Sequence, residues 1–331
     1  MSEINPTAPK QSVFIGWLGA LLVRLFIPAW ILFGAYSKLQ GATPKSLPRS
    51  ILDAGGIIGF QDHFLLLSIL VAIEFVFIGF MLFSQKLARI AAISILSIFL
   101  VVLGIEMFVY GNYESCGCFG EKSLAPTTMF AIDFALLLGI VIFKPRKCTC
   151  ALNKGKRSAI LITIFVIATW TYTFSSIMSK KPTNIGNGNN GQTALPSSWY
   201  PQNIGSWIGQ SVDDINLFSW VKEWPHNIHD GKQYVIFYSL TCDHCEALFY
   251  AYFEFPTTPT TPTTLVAIPE STDGFNVDGA FDNPCHDCAK TELAIGPDWI
   301  IGTPMVVAIE NGIVKCVIEN EDYEAPTCLI W

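Results

Sequence analysis

The sequence predicts an integral membrane helical bundle, with four spans plus a fifth tethering span, followed by a C-terminal α/β domain. Three observations lead to this class. Hydrophobic residues make up 51% of the 331 positions and charged residues only 14%, which is too apolar for a soluble globular chain. The apolar residues form about five long runs within roughly the first 180 positions. After them, β-branched and aromatic runs alternate with turn signals and one helical pattern.

Each long run has about 20 residues, enough to cross ~30 Å of hydrocarbon as a helix. The first run is followed by no small-residue cleavage site, so it is expected to stay as an anchor. A polar stretch rich in Asn and Gly precedes the C-terminal domain and is typical of a flexible tether. The expected boundaries are a short inner N-terminus at 1–11, a four-helix membrane domain at 12–150, a fifth helix at 158–178, a linker at 179–199 and the C-terminal domain at 200–331. The four spans are expected at about 12–36, 63–83, 88–110 and 124–143.

Basic residues set the expected orientation. With the N-terminus inside, the inner segments carry nine Lys and Arg residues and the outer segments six, and six of the nine lie at 144–157. Basic residues favour the cytoplasmic side. The sequence therefore predicts a multi-pass protein of the cytoplasmic (inner) membrane with its C-terminal domain on the periplasmic side. The net charge of −7 argues against a nucleic-acid partner.

A Cys-x-x-Cys motif, Cys242 to Cys245, directly follows a strand-like run and opens a helical pattern. The N–H groups at a helix N-terminus stabilise a thiolate and lower the pKa of the first cysteine. Cys242 is therefore the expected nucleophile and Cys245 its resolving partner, and His244 would push the pair toward an oxidising potential. Half of a zinc site and a structural disulfide are the alternatives.

Residues 200–331 resemble thioredoxin-fold domains of the membrane-tethered, extracytoplasmic type. The resemblance rests on the strand, motif and helix order, and on Thr303-Pro304 before a strand, an Asn-Gly turn and a second strand. It implies that Pro304 is a cis-proline and that Thr303 and Pro304 face the active-site cysteines. The alternative is an ordinary trans proline at the start of a strand.

The loop between the third and fourth spans carries Ser-Cys-Gly-Cys-Phe-Gly-Glu, with Cys116 and Cys118 flanking a glycine. This loop, the four-span layout and the Tyr-Ser-Lys-Leu end of the first span resemble the MauE/DoxX family of redox-associated membrane proteins. In methylamine utilisation, a MauE protein works beside a separate thioredoxin-like protein, MauD, thought to help form disulfides in a periplasmic enzyme. The resemblance implies that both components are joined in this chain.

Two cysteine pairs accompany the predicted membrane spans. A Cys116–Cys118 disulfide would close a small strained ring that exchanges readily, and soft-metal ligation is the alternative. Cys148 and Cys150 lie among Lys and Arg on the expected inner side. They could accept cytoplasmic electrons, bind Zn or Cu, or be two reduced thiols.

The C-terminal domain contains two further pairs. Cys285 and Cys288 are expected in a helical insertion before Pro304, as a local or auxiliary disulfide or as a second redox centre. Cys316 and Cys328 are expected to form a structural disulfide of an oxidising compartment.

Arg24, Glu74 and Asp133 fall near the middle of predicted spans and are expected to face the bundle interior. An Arg24–Glu74 or Arg24–Asp133 ion pair is one interpretation, and a quinone or proton site is the other. No metal site is predicted, because none of the five His residues has the spacing of a zinc enzyme.

These patterns together predict a membrane-anchored thiol–disulfide oxidoreductase. Electrons would pass from protein thiols to Cys242 and Cys245, then to Cys116 and Cys118, and on to a quinone in the membrane. A disulfide reductase fed from inside through Cys148, or a soft-metal (Cu or Hg) handling protein, are the alternatives.

Overall fold

The computed structural model describes residues 11–84, 86–111, 125–143, 155–182, 194–254, 261–319 and 327–330. The chain divides into two compact units, Met1–Lys181 and Pro182–Trp331. Predicted site residues Cys116, Cys118, Cys148 and Cys150 lie outside the described residues.

Unit 1 is helical. Its helices are α1 (Gln11–Leu21), α2 (Ile27–Gly41), α3 (Arg49–Ile57), α4 (His63–Phe83), α5 (Ala88–Phe108), α6 (Pro126–Ile142) and α7 (Gly155–Met178), and the π-helical turn Leu22–Phe26 joins α1 to α2. Four helical segments in the described residues are long and apolar enough to cross a membrane: Gly16–Gly41, α4, α5 and Arg157–Met178. Helix α6, where the fourth span was predicted, is apolar but has only 17 residues.

Helix α7, predicted as a separate tethering span, packs against α4 in the same compact unit. Phe165 of α7 makes edge contacts with the rings of Phe75 and Phe83, at centroid distances of 6.5 and 5.6 Å. The Ser158 hydroxyl donates a hydrogen bond to the carbonyl oxygen of Phe83. The two helices are therefore antiparallel neighbours in one bundle.

Polar contacts show which helix ends lie together. Lys181, just after α7, pairs with Asp62, the N-cap of α4, at 2.6 Å. Lys180 donates to the carbonyl oxygen of Gln40 near the end of α2, also at 2.6 Å. Arg89, at the start of α5, donates to the carbonyl oxygen of Ile140 at the end of α6 (3.4 Å).

The contact between Arg89 and Ile140 joins the start of α5 to the end of α6, so these two helices are also antiparallel. Glu106, near the end of α5, accepts a 2.8 Å hydrogen bond from the N–H of Ser50 in α3, the helix that follows α2. The ends of α2, α5 and α7 and the starts of α4 and α6 thus share one end of unit 1. Phe108 and Pro126, the helix ends on either side of the segment 112–124 with the Cys-Gly-Cys motif, therefore lie at the same end of unit 1 as Lys181, its last residue.

Unit 2 contains a mixed five-stranded sheet in the order β4-β3-β2-β6-β7. Strand β3 runs parallel to β2 and β4, whereas β6 runs antiparallel to β2 and β7. The elements of unit 2 are β1 (Ser198–Trp199), α8 (Asn216–Ser219), β2 (Lys232–Tyr238), α9 (Asp243–Phe253), β3 (Thr263–Ala267), β4 (Ala289–Glu292), β5 (Asp298–Trp299), β6 (Met305–Glu310) and β7 (Ile313–Glu319). The short strands β1 and β5 pair in parallel away from the main sheet.

Alternation along β2 divides its side chains between two apolar clusters. Val235 and Phe237 belong to a cluster with five tryptophans, the buried Trp207, Trp220 and Trp299 and the half-buried Trp199 and Trp224. Tyr234, Ile236 and Tyr238 belong to a second cluster with α9. Strand β2 is buried on both faces, which explains its continuous run of apolar and aromatic residues.

The hairpin predicted after Pro304 is present as β6 and β7. Asn311 and Gly312 form its turn with φ values of 49° and 76°, the left-handed conformations that a two-residue hairpin turn requires.

The prediction of a helical insertion around Cys285 and Cys288 is wrong. In the described residues between β3 and β6 the chain forms no helix, and Cys288 immediately precedes strand β4. Gly279 at φ 87° and Pro284 interrupt any helical run here.

Candidate functional site

The candidate site lies where β2 ends and α9 begins. Cys242 has an extended backbone and is the N-cap of α9, and its Sγ accepts a hydrogen bond from the N–H of Cys245 at 3.1 Å. The predicted helix N-terminus at this motif is therefore present. Its free N–H groups and positive dipole end stabilise negative charge on the Cys242 sulfur.

The two cysteines of the motif differ in exposure. Cys242 is partly exposed, whereas Cys245 is fully buried at 0%. They are paired as a disulfide with Cα atoms 5.2 Å apart. An incoming thiol can therefore reach Cys242 but not Cys245. His244, on the first turn of α9, is partly exposed.

The Thr303–Pro304 peptide bond is cis, as the sequence resemblance implies. Strand β6 begins at the next residue, and its Met305 pairs with Phe237 near the end of β2. This register places the Thr303 carbonyl oxygen 3.5 Å from the Cys242 Sγ.

Glu270 is a site residue that the sequence analysis missed. Its Oε1 accepts hydrogen bonds from the Ser239 hydroxyl (2.8 Å) and the Leu240 N–H (2.6 Å), and its Oε2 accepts one from the Thr241 hydroxyl (3.3 Å). One carboxylate thus holds the three residues that lead into Cys242.

A signal for Glu270 exists in the sequence. It follows β3, the parallel neighbour of β2, and the carboxyl ends of parallel strands meet at one edge of a sheet, where ligands commonly bind. A polar residue just after β3 therefore belongs to the same edge as Cys242.

The other two cysteine pairs of unit 2 also form disulfides, Cys285–Cys288 and Cys316–Cys328, each with Cα atoms 5.5 Å apart. Cys285, Cys288 and Cys328 are buried in the same apolar cluster as Cys245. The Cys285–Cys288 pair is therefore less accessible than Cys242, whereas Cys316 is partly exposed, as Cys242 is.

The predicted intramembrane residues have partners that differ from the expected ones. Glu74 forms an ion pair with Lys38. Asp133 accepts a 2.9 Å hydrogen bond from the indole N–H of Trp30. Arg24 donates to the carbonyl oxygens of Leu82 (2.6 Å) and Ser84 (3.3 Å).

Both proposed pairs of Arg24 with a carboxylate are therefore absent, and Arg24 lies beside the end of α4 rather than near mid-membrane. The position of Arg24 follows from the length of its helical segment. Gly16–Gly41 has 26 residues and is roughly 39 Å long at ~1.5 Å per residue, which exceeds the ~30 Å hydrocarbon layer. Lys38 and Trp30 were not predicted as the partners of Glu74 and Asp133, because the sequence does not show how α2 is positioned along α4 and α6.

No group of three or more His, Cys, Asp or Glu side chains that could hold a metal ion occurs within the part of the chain that the structure describes.

Residues 15–144 match the family model of methylamine utilisation protein MauE. No curated protein and no solved structure matches the chain. The matched region covers most of α1 and all of α2 to α6, whereas α7 and unit 2 lie outside it. This part of the chain is therefore similar to the MauE family, and the match together with the apolar helices indicates a multi-pass membrane protein.

Proposed function

We propose that this protein is a membrane-anchored thiol–disulfide oxidoreductase that oxidises protein thiols outside the cytoplasm. The observation that carries the proposal is the environment of Cys242, a partly exposed residue at a helix N-terminus with a fully buried partner three residues on. A purely structural disulfide needs neither an exposed cysteine nor this helix position.

The proposal includes a thioredoxin-type fold for unit 2. Three features support it: the strand order β3-β2-β6-β7, the helix α9 directly after β2, and the cis Thr303–Pro304 bond beside Cys242. The Thr303 carbonyl oxygen is placed to accept the thiol proton of reduced Cys242.

The reaction has two exchange steps at Cys242. A substrate thiolate attacks the Cys242 sulfur, a mixed disulfide forms, and Cys245 leaves as a thiolate that takes a proton. A second substrate thiolate then attacks the substrate sulfur of the mixed disulfide and releases Cys242. The substrate loses two electrons and two protons, and the Cys242–Cys245 pair gains them.

The reduced pair would pass its electrons to a disulfide of Cys116 and Cys118. Cys242 attacks this disulfide, and Cys245 resolves the resulting mixed disulfide. The helix ends described above support this step, because the segment 112–124 and the chain leading to unit 2 leave unit 1 at the same end. Because both pairs belong to one chain, their effective concentration is raised. A quinone in the membrane would be the final electron acceptor.

A trapping experiment on the full-length protein in membranes tests the proposal. In the Cys245→Ser variant, Cys242 is a free thiol that can attack the disulfide of an added oxidised substrate protein, forming a mixed disulfide and releasing one substrate thiol. No Cys245 thiol is present to attack this mixed disulfide, so it should accumulate. The Cys242→Ser variant is the matched control and should trap nothing. Equal trapping by both variants, or by neither, contradicts the assignment of Cys242 as nucleophile.

The reduction potential of the Cys242–Cys245 pair in the full-length protein decides the direction. A value near ~−120 mV supports thiol oxidation. A value near ~−270 mV would instead indicate a reductase, with Cys148 and Cys150 as the entry point for electrons.

A further inference from the structure

Unit 1 contains a cavity among helices α2, α4, α5 and α6. Its volume is ≈ 40 Å³. Apolar and aromatic side chains form most of the wall, and three ionisable groups project into it: Lys38, Glu74 and Asp133. The full lining is Trp30, Ile31, Gly34, Lys38, Glu74, Phe99, Val102, Leu103, Met129 and Asp133.

Each carboxylate of the cavity has one occupied oxygen and one unpartnered oxygen. Glu74 pairs with Lys38 through Oε1, and Asp133 accepts the Trp30 N–H through Oδ1. Among the described residues, Glu74 Oε2 and Asp133 Oδ2 are buried without a hydrogen-bond partner. Glu74 is 5% exposed and Asp133 1%. Such atoms are costly to bury unless water or a ligand satisfies them.

The size of the cavity decides which ligand fits. A buried water needs roughly 10–15 Å³ and two to four polar partners, so about 40 Å³ holds one to about three waters. The cavity therefore has room for water beside the two carboxylates.

The cavity is close to the end of unit 1 where the segment 112–124 joins α5 to α6. Met129 lies three residues after Pro126, the first residue of α6, and Leu103 lies five residues before Phe108, the last of α5. At ~1.5 Å per residue, both are roughly 5–8 Å from their helix ends along the axis. Lys38 likewise precedes the end of α2 by three residues.

We propose that this cavity is an intramembrane proton site in which Glu74 and Asp133 exchange protons through enclosed water. The assignment rests on the proposed function. Oxidation of a dithiol releases two electrons and two protons, and reduction of a quinone consumes two of each, so the membrane unit must move protons as well as electrons. The ionisable groups facing the site are Lys38 from α2, Glu74 from α4 and Asp133 from α6, whereas the residues that α5 contributes are apolar.

Matched amide variants of the full-length protein in lipid nanodiscs test the site. Asp133→Asn keeps a side-chain oxygen that can accept the hydrogen bond from the Trp30 N–H, but an amide cannot take up or release a proton. Glu74→Gln likewise keeps an oxygen that can accept a hydrogen bond from Lys38 and removes the titratable carboxylate. Glu106→Gln is the control, because Glu106 is equally buried at 1% but accepts the Ser50 N–H outside the cavity. Asp133→Glu restores a proton-carrying group at that position.

The first measurement is the rate of reduction of a short-chain ubiquinone analogue by a dithiol, as a function of pH. Asp133→Asn should slow the rate at least about tenfold, since positioned proton transfer contributes about 10²–10⁴-fold, and should remove a pH inflection. Asp133→Glu should recover part of the rate, and Glu106→Gln should stay within about twofold. If both cavity variants match wild type in rate and pH dependence, Lys38 and Glu74 form only a structural ion pair and the inference is overturned.

The second measurement separates this inference from the proposed function. Infrared difference spectra between the oxidised and dithiol-treated protein, recorded in H₂O and D₂O, report protonated carboxyl groups directly. A carboxyl signal that is lost in Asp133→Asn and kept in Glu106→Gln supports the proton site even if wild type fails to reduce quinone, an outcome that would refute only the electron route. A spectrum unchanged in Asp133→Asn overturns the proton site whatever the quinone assay gives.

Discussion

The two units build their polar sites in opposite ways. In unit 2, Cys242 and Cys245 are three residues apart, and the helix that follows them supplies the N–H at 3.1 Å from the Cys242 sulfur. In unit 1, Lys38, Glu74 and Asp133 come from three helices spread over almost 100 residues. A local site is specified by a short sequence motif, whereas a site shared among helices exists only once the bundle has packed. The first kind should tolerate changes elsewhere, and the second should fail when one helix contact is lost.

The largest expected effect tests the local site. Replacing Cys242 by Ser removes the sulfur that the substrate thiolate attacks and should lower dithiol oxidation by about 10³-fold or more, since a serine hydroxyl forms no disulfide with Cys245. The rate of substrate thiol loss, followed with a thiol reagent, is the measurement. The Cys285→Ser/Cys288→Ser double variant is the comparison, and a comparable loss there would show that chemistry in unit 2 is not confined to one motif.

The next effect tests the site shared among helices. Lys38→Met leaves Glu74 buried without its charge partner, and breaking a buried ion pair in this way costs about 3–5 kcal/mol. Unfolding of unit 1 in mixed detergent micelles measures the loss. The Lys38→Met/Glu74→Met double variant should recover most of it, because an apolar pair of similar volume has no charge to desolvate. A double variant as unstable as the single one would contradict this account.

Removing the Cys316–Cys328 disulfide should separate stability from chemistry in unit 2. The pair closes a loop with a sequence separation of 12, for which chain entropy predicts a loss of about 3 kcal/mol in the free energy of unfolding. Denaturant unfolding of the Cys316→Ser/Cys328→Ser variant gives this value. Its rate of dithiol oxidation at low temperature should remain that of wild type, and a fall as large as that of Cys242→Ser would mean that this pair takes part in the exchange.

A smaller effect is expected at Glu270, whose carboxylate accepts three hydrogen bonds from residues 239–241. Glu270→Ala should slow the attack on Cys242 about tenfold and shift the reduction potential of the pair, because the turn before Cys242 loses its acceptors. Glu270→Gln keeps one acceptor oxygen and should recover part of both values. If the alanine variant alters stability but neither the rate nor the potential, Glu270 only supports the fold.

The smallest effect is expected at the exposed end of unit 1, where Lys181 pairs with Asp62. Burial by itself would raise the pKa of Asp62, but hydrogen bonds from Lys181 and Leu65 outweigh it and lower the pKa below 3.8. Both side chains are about one third exposed, so Lys181→Met should cost less than about 1 kcal/mol.

The sign of the pH dependence at Asp62 follows from the lowered pKa. The stabilising contribution is present above the ordinary value and is lost as the pH falls through the folded value. Unfolding midpoints at neutral and acidic pH check this, and a difference between wild type and Lys181→Met that grows on acidification would contradict it.

The strand β2, the helix start at Cys242, the hairpin turn at Asn311 and Gly312 and the positions of most apolar helices were predictable from the sequence. Each follows from a short-range rule, such as burial on both faces of a strand, capping at a helix end or a left-handed turn. The expected ion pairs of Arg24 were wrong about contacts between helices far apart in the sequence, whereas the expected helix around Cys285 was a local error. The segment around Cys285 was expected to be helical from a motif, although Gly279 and Pro284 already argued against it.

The sequence by itself determined that the chain has an apolar helical part and an α/β part, and that Cys242 opens a helix after a strand. Only the tertiary structure decided that Lys38 rather than Arg24 pairs with Glu74, that Trp30 binds Asp133, that Glu270 holds the turn before Cys242, and that α7 packs on α4. The physical reason is that hydrophobic periodicity and capping are properties of neighbouring residues, whereas the partner of a buried charge depends on how far each helix slides along its neighbours. That displacement is set by packing over the whole bundle, and a single sequence does not contain it in any local pattern.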